Sequence, residues 1–170
     1  MKTIKSNTFF KEKQFPLLAQ KIDVVCMNFL SPENIGQVMR LASNMGMNEI
    51  YYTGEKPVRQ SKIQRSATSA YNHTTLNKID SPTFFKKNKK TVIAIETSEN
   101  AQNLYTTTLP TECVILLGNE RFGLSEEEIS YADMSVYIPV PGITSSLNVS
   151  HSFAVFMWEW YRRLTSKAKP

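Results

Sequence analysis

Short runs of consecutive apolar residues alternate along this chain with segments whose apolar residues recur every three or four positions. The runs are typical of strands buried on both faces of a sheet, and the spaced positions indicate amphipathic helices. Five to six strands alternating with helices predict an α/β domain with a mainly parallel sheet flanked by helices. We predict strands at residues 22–30, 47–53, 91–96, 112–117 and 134–138.

Local signals place the helices between these strands. Asn34 can cap a helix over residues 34–47, in which Gly36 indicates a close backbone approach and Arg40 falls away from the apolar stripe. Ser125 and Glu128 have the spacing of a capping box at the start of another helix. Further helices are predicted at residues 14–21, 61–70, 81–90 and in the terminal segment up to Leu164.

The stretch from residue 138 to residue 163 organises the rest of the chain. A strand end runs through two prolines to Gly142, then to small polar residues ending at Asn148, and a helix with one broad apolar face follows. A polar loop at the N-terminus of an anchored helix has free backbone N–H groups that suit a ligand or a reacting group. A capped turn before a terminal helix is the alternative interpretation.

Composition narrows the class of protein. A chain of 170 residues suffices for one domain, which we place at residues 21–170 after a short basic extension at residues 1–20. No apolar run has the length of a membrane span and no export segment is recognisable, so we expect a cytoplasmic protein without a membrane partner. Cys26 and Cys113 lie in apolar runs, which indicates buried thiols and no metal site.

The net charge of +5 and the pI of about 9.2 favour a polyanionic partner. Basic residues form three clusters, and either nucleic-acid binding or a solvated surface would explain each of them. The clusters comprise Lys56, Arg59, Lys62 and Arg65; Lys86, Lys87, Lys89 and Lys90; and Arg162, Arg163, Lys167 and Lys169.

Missing motifs exclude several enzyme classes. The chain has neither GxGxxG nor GxxxxGK[ST], which argues against a dinucleotide-binding fold and a P-loop nucleotidase. His151 has no acid–serine pattern around it, which argues against a hydrolytic triad, and His73 is expected at the surface. Five of the six glycines fall in three stretches, two of them at the carboxyl ends of predicted strands, where open α/β sheets bind ligands.

Those three stretches carry a family resemblance. N-x-G-x-x-x-R at residues 34–40, GNE at 118–120 and IP…SLNVS at 138–150 resemble, in order and spacing, the three motifs of the SpoU/TrmH family. Its members are S-adenosylmethionine-dependent RNA ribose 2′-O-methyltransferases of the SPOUT class. The resemblance covers about residues 22–165. It implies a SPOUT fold with a C-terminal deep trefoil knot, a homodimer with its active sites near the interface, and no need for a metal.

The resemblance also implies roles for individual residues. Arg40 matches the arginine that contacts RNA and is implicated in activating the 2′-hydroxyl, and Asn34 matches the asparagine that supports it. Catalytic positions are further implied for Glu120, Ser146 and Asn148, and cofactor-binding positions for Glu96, Gly118, Ile138 and Leu147. One departure is His151-Ser152 after SLNVS, where many members have a hydrophobic residue, and this leaves the local packing open.

The chemistry of Arg40 leaves two interpretations. A guanidinium with a pKa above about 12 is an awkward base, so Arg40 either activates the hydroxyl directly or grips a phosphate while Ser146, Asn148 or water handles the proton. Glu120 is expected to orient Arg40 or Asn34, or to cap a helix end.

The identity of the RNA stays open at this point. GNERFG and the SATSA stretch at residues 66–70 look closer to members that methylate G18 of tRNA than to those that act on the wobble position, which favours tRNA over rRNA. A catalytically silent knotted RNA-binding protein is the alternative from another class, although Arg40, Glu120 and Asn148 are all present. An unrelated α/β hydrolase or nucleotide-binding protein is disfavoured by the missing motifs.

Overall fold

The computed structural model describes residues 21–54, 59–86 and 89–166. Within these residues the strands are β1 (Ile22–Cys26), β2 (Glu49–Tyr52), β3 (Thr75–Lys78), β4 (Thr91–Ile95), β5 (Gln102–Asn103), β6 (Cys113–Leu117) and β7 (Met134–Tyr137). These seven strands form one sheet in the order β3-β2-β1-β6-β4-β7-β5, and every strand pair in it is parallel. The prediction of an α/β domain with a mainly parallel sheet is therefore confirmed.

Helices cover both faces of the sheet. The helices are α1 (Pro32–Asn44), α2 (Gln60–Ala67), followed by a 3-10 turn (Thr68–Asn72), α3 (Thr83–Lys86), α4 (Glu126–Ser130) and α5 (Val149–Ser166). One face of the sheet packs against α1, α2 and α5, and the other against α3 and α4. The central strand β6 is buried along its whole length because neighbours pair with both of its edges.

The prediction of five to six strands missed the two edges of the sheet. β3 and β5 are short and polar, and they are the outermost strands in the order. An edge strand has a neighbour on one side only and needs no continuous apolar run, so it gives a weak sequence signal.

The start of α1 differs from the prediction that Asn34 caps it. Ser31 is the N-cap, and its Oγ accepts a hydrogen bond from the backbone N–H of Asn34 at 3.2 Å, with Pro32 opening the helix. The preceding strand ends at Cys26 and not at Leu30, because Asn28 takes a positive φ of 49° that no regular strand allows. The side chain of Asn34 is thereby free for another role.

Two further helices are shorter than predicted. The first was predicted over residues 61–70, where α2 instead ends at Ala67 and a 3-10 turn continues to Asn72. The second was predicted over residues 81–90, of which α3 occupies Thr83–Lys86. The capping box of Ser125 and Glu128 is confirmed by hydrogen bonds in both directions.

The terminal helix α5 anchors the C-terminal part of the domain. Phe153, Phe156, Met157 and Trp160 are buried on its apolar face, and the indole N–H of Trp160 donates to the carbonyl of Pro110 at 2.8 Å. The free thiols of Cys26 and Cys113 are buried, as predicted. Within residues 21–54, 59–86 and 89–166, no helix has the length and apolar character to cross a membrane.

Some predictions lie outside the described residues. These are the basic extension at residues 1–20, all but the last residue of the helix predicted over residues 14–21, and the side chains of Lys56, Lys87, Lys167 and Lys169.

Gly36 allows α1 and α2 to pack at close range, as predicted from its place in the first turns of α1. A Cβ atom at residue 36 would lie 2.6 Å from the carbonyl oxygen of Ile63 and 2.6 Å from the Cβ of Ser66. Both positions belong to α2, so a side chain at residue 36 would push the two helices apart.

We predict that Gly36→Ala lowers the free energy of unfolding although alanine is the better helix former. The helix propensity gain is about 1 kcal/mol, whereas a forced overlap in a packed interface costs about 1–3 kcal/mol. Urea unfolding measures the difference. Gly142→Ala is the matched control, since a Cβ atom there meets nothing within 4 Å. A Gly36→Ala protein that is more stable than the original would contradict the close approach.

Candidate active site

A cavity of about 290 Å³ opens at the carboxyl ends of β4, β6 and β7. Three chain segments line it: the end of β4, the turn after β6, and the loop that leads from β7 to α5. The cavity brings together seven of the nine residues that the sequence motifs selected. These are Glu96, Gly118, Glu120, Ile138, Ser146, Leu147 and Asn148.

The turn after β6 is closed by short contacts that glycine alone permits. The backbones of Asn119 and Gly123 exchange two hydrogen bonds of 3.0 and 2.8 Å. A Cβ atom on Gly118 would lie 2.5 Å from the carbonyl carbon of Gly123. Glu96 ties this turn to β4, because its Oε2 accepts from the backbone N–H of Leu124 at 2.9 Å.

Glu120 is the centre of a hydrogen-bond network that joins the first two motifs. Its carboxylate accepts from the backbone N–H groups of Leu30 at 2.8 Å and Ser31 at 3.0 Å, and from the Asn34 Nδ2 at 2.9 Å. The carboxylate thus takes up donors just before α1 and orients Asn34. It makes no hydrogen bond to Arg40, so of the alternatives considered above the orientation of Asn34 is the one observed.

The network continues into the third motif through Asn148. The Asn34 Oδ1 accepts from the Asn148 Nδ2 at 3.2 Å, and the Asn148 Oδ1 accepts from the backbone N–H of Ser150 at 2.9 Å at the start of α5. The hydroxyl of Ser150 lies 2.7 Å from the Asn148 Oδ1 and 2.5 Å from the Gln37 Oε1. A hydroxyl has one proton, so it donates to one of these two oxygens at a time.

Sequence reasoning missed Gln37 and Ser150. Gln37 is an exposed position between Asn34 and Arg40, and Ser150 is the last residue of the SLNVS stretch. Only their meeting across α1 and α5 identifies them, since 113 positions separate them along the chain.

The loop that lines the cavity keeps its polar groups available. No backbone N–H or carbonyl of residues 140–147 is hydrogen-bonded to another described residue. The hydroxyl of Ser146 also has no partner in that part of the chain, and both Ser146 and Leu147 are exposed and line the cavity. These groups can therefore bind a ligand at no cost in internal hydrogen bonds.

Arg40 lies outside this cavity. It is exposed on α1, six residues after Asn34, which corresponds to a rotation of about 120° around the helix and a rise of about 9 Å. Among the described residues it forms no ion pair and no hydrogen bond, so it does not tie the helix to the sheet.

Several charged side chains outside the cavity form ion pairs. Lys62 contacts Glu33 at 3.0 Å, and this partner lowers the pKa of the Glu33 carboxyl. Glu159 binds Arg162 and Arg163, and its pKa falls to about 2 chiefly through the Arg162 hydrogen bonds. Burial, and next the Glu120 carboxylate, raise the pKa of the Cys26 thiol, which is thus kept neutral beside the site.

A family model with the description SpoU rRNA Methylase family matches residues 21–158. The chain belongs to the SpoU rRNA Methylase family. The match extends from the start of β1 into α5, so it includes all three motif segments and the whole of the cavity they line.

Among curated relatives, the chain is 27% identical over 147 residues to an Escherichia coli (strain K12) protein named tRNA (guanosine(18)-2′-O)-methyltransferase. The match covers 82% of this chain and 62% of that protein. This chain therefore spans less than two thirds of the length of that relative.

Solved structures of similar fold include the following two. One comes from work on the 2-OH methylation of C/U34 on tRNA, with a TM-score of 0.74, 26% identity, and coverage of 85% of this chain and 97% of that one. The other is the SpoU methyltransferase AviRb from Streptomyces viridochromogenes in complex with the cofactor AdoMet, with a TM-score of 0.77 and 23% identity, covering 86% and 59%.

Proposed function

We propose that this chain transfers a methyl group from S-adenosylmethionine to a ribose 2′-hydroxyl of RNA, with tRNA favoured over rRNA. The observation that carries the proposal is the hydrogen-bonded chain from Glu120 through Asn34 to Asn148, which joins the three family motifs beside one cavity. The name of the E. coli relative supports a tRNA substrate and the G18 ribose.

The residues around the cavity fit S-adenosylmethionine. Apolar side chains on the cavity wall, such as Ile95, Ile138 and Leu147, suit an adenine ring, and the unpartnered backbone groups of residues 140–147 suit its polar edge. The carboxylate of Glu96 suits hydroxyl groups and positive charge. When bound, this cofactor supplies an activated methyl group on a sulfonium.

The roles we propose for the chain's own residues follow from what each is free to do. Both amide atoms of Asn148 and both Glu120 oxygens are engaged, so these residues hold the geometry of the site. The hydroxyl of Ser146 is unpartnered in the described part of the chain, so Ser146 or water handles the proton of the ribose hydroxyl. Correct orientation of the hydroxyl lowers the activation free energy of the transfer by several kcal/mol, up to about 7–11 in ideal cases.

Arg40 acts in this proposal as a phosphate clamp. It is exposed and faces no group that would remove its proton, and a guanidinium forms two parallel hydrogen bonds to a phosphate. Its place outside the cavity of its own chain suits a nucleotide phosphate at the rim better than the reacting oxygen. Direct base catalysis by Arg40 is therefore the less favoured of the two earlier interpretations.

The proposal includes a deep trefoil knot formed by the C-terminal segment and a cytoplasmic homodimer. Exposed apolar side chains in this region support an interface: Ile143 and Leu147 in the cavity loop, and Trp158 on α5, which is 48% exposed. Sedimentation at micromolar concentration distinguishes a dimer from a monomer.

Methylation of defined RNA tests the activity. The protein is incubated with S-adenosylmethionine and, in separate reactions, with unmodified tRNA or rRNA transcripts, and 2′-O-methyl positions are mapped. Methylation at G18 is expected. Methylation at position 34 would support the second candidate, which is favoured by the 97% coverage of the protein in the C/U34 study. Methylation of rRNA alone would contradict the tRNA assignment, and no methylation of either RNA would contradict the activity.

Crowding the cavity tests the cofactor site. We expect Leu147→Trp to weaken S-adenosylmethionine binding about tenfold or more, since each 1.4 kcal/mol of lost contact is a factor of ten. Ile143→Trp is the matched control, because Ile143 lies in the same loop, does not line the cavity and is fully exposed. Calorimetry measures both affinities. Equal affinities for the two folded variants would place the cofactor elsewhere.

Replacement of Arg40 tests its role as a clamp. We predict that Arg40→Ala keeps its thermal midpoint and its cofactor affinity but lowers the single-turnover rate at least about a hundredfold, the order expected of a positioned catalytic group. Arg40→Lys should recover little, because an ammonium lacks the planar fork.

Arg65→Ala is the control for loss of charge, since it removes the same charge from an exposed position on α2 and should affect the rate far less. An Arg40→Ala protein that melts early yet turns over normally in the cold would show that Arg40 is a structural residue.

A further inference from the structure

The turn after β6 displays an aromatic ring that the fold does not bury. Phe122 is 75% exposed, against 52% for Phe84 and 50% for Tyr105, the other phenylalanine and tyrosine side chains with large exposed area in the described part of the chain. Leaving an aromatic side chain in water forgoes stabilisation that burial would give, so a ring this exposed at the edge of a functional cavity suggests a ligand.

Hydrogen bonds hold the backbone that carries this ring. The Asn119 Oδ1 accepts hydrogen bonds from the backbone N–H groups of Arg121 at 2.9 Å and Phe122 at 3.2 Å. The Asn119 Nδ2 donates to the carbonyl of Asn28 at 2.7 Å, which attaches the turn to the end of β1. The turn is therefore preorganised, and a ligand that contacts the ring does not have to order the turn first.

Phe122 separates two cavities. It lines the candidate active site on one side and, on the other, a second cavity of about 590 Å³ at the carboxyl ends of β1, β2 and β3. Asn119 and Gly123 of the same turn also line both cavities. A group that stacks on Phe122 would thus lie next to the proposed cofactor site, with the second cavity beside it.

The second cavity has the chemistry of a base-binding site. Its wall carries the carboxylates of Asp80, Glu127 and Glu128, and Lys78 is its only cationic lining residue among those described. Asp80 has no hydrogen bond or ion pair within the described residues, so its oxygens are free acceptors. Such a wall repels phosphate groups. Both Glu128 oxygens accept hydrogen bonds within the fold, and one Glu127 oxygen accepts from the Tyr131 hydroxyl. Asp80 therefore supplies the acceptors that suit the amino and imino N–H donors on the edge of a nucleobase.

Arg121 also favours the binding of a nucleobase at this site. Its guanidinium carbon lies 5.1 Å from the centroid of the Phe122 ring, in a cation–π arrangement. Aromatic rings and guanidinium planes are the surfaces on which proteins stack unpaired RNA bases. The Phe122 ring, the Arg121 guanidinium and the acceptors of the second cavity therefore all favour an unpaired RNA base as the ligand.

We propose that Phe122 is a stacking platform for an unpaired base of the RNA substrate, whose donor-bearing edge enters the second cavity. The inference rests on the proposed function and adds a base-binding subsite to it. The Phe122 side chain takes no part in the hydrogen bonds of the Glu120 network, whose partners are Leu30, Ser31 and Asn34.

Truncation of the ring provides the first test. We expect Phe122→Ala to weaken binding of unmodified tRNA transcript about tenfold, since stacking on an aromatic ring is worth about 1–3 kcal/mol per base. Its methyl-transfer rate should recover at saturating RNA, and Phe122→Tyr should bind nearly as well as the original. Tyr105→Ala is the matched control, because it removes another exposed aromatic ring, one that lines neither cavity.

A tryptophan at the same position gives a direct readout of stacking. In a Trp158→Phe background, Phe122→Trp leaves the buried Trp160 as the second indole, and tRNA should quench the exposed one. Unquenched fluorescence upon RNA binding would overturn the stacking assignment.

Three other outcomes would also overturn the proposal. Unchanged tRNA affinity of Phe122→Ala in a protein that methylates RNA would remove the platform and leave the proposed function intact. Dissociation of a dimer by Phe122→Ala, with RNA affinity lost in parallel, would show that the ring is an interface residue. An original protein that neither binds nor methylates RNA would contradict both the platform and the proposed function.

Discussion

The structure of the site depends on the carboxylate of Glu120. Its two oxygens accept three hydrogen bonds, from the backbone before α1 and from Asn34, and so connect segments about 90 residues apart. Hydrogen bonds to a charged acceptor contribute about 1.5–3 kcal/mol each, and their loss leaves partly buried donors without a partner. Because Asn34 in turn contacts Asn148, this one carboxylate determines how the loop after β7 lies against α1.

Under the proposed function, some residues of the site maintain its geometry and others contact the ligands. Glu120, Asn34, Asn148 and Ser150 are occupied with one another, which gives a rigid frame at the carboxyl ends of the central strands. Ser146, Arg40 and the backbone of residues 140–147 are left without partners in the described part of the chain. A frame of satisfied polar groups around a few free ones is what orientation-based catalysis requires, since the free groups then need little reorganisation.

The centre of the fold was predictable because its signals are local. β1 and β6 are continuous apolar runs, and the capping box of α4 lies within four residues. The polar edge strands β3 and β5 carried no such signal. At the site, the motifs selected the cavity-lining residues, but the capping role given to Asn34 was wrong, because Ser31 caps α1 and Asn34 faces Glu120. The Gln37–Ser150 contact depends on tertiary packing alone.

A double-mutant cycle on Asn34 and Glu120 tests most directly whether one network organises the site. Unfolding free energies and single-turnover rates would be measured for Asn34→Ala, Glu120→Ala and the double variant. If the two residues act as one unit, the double variant loses much less than the sum of the single losses, with a coupling of about 0.5–3 kcal/mol in both quantities. Additive losses in both stability and rate would contradict a shared network.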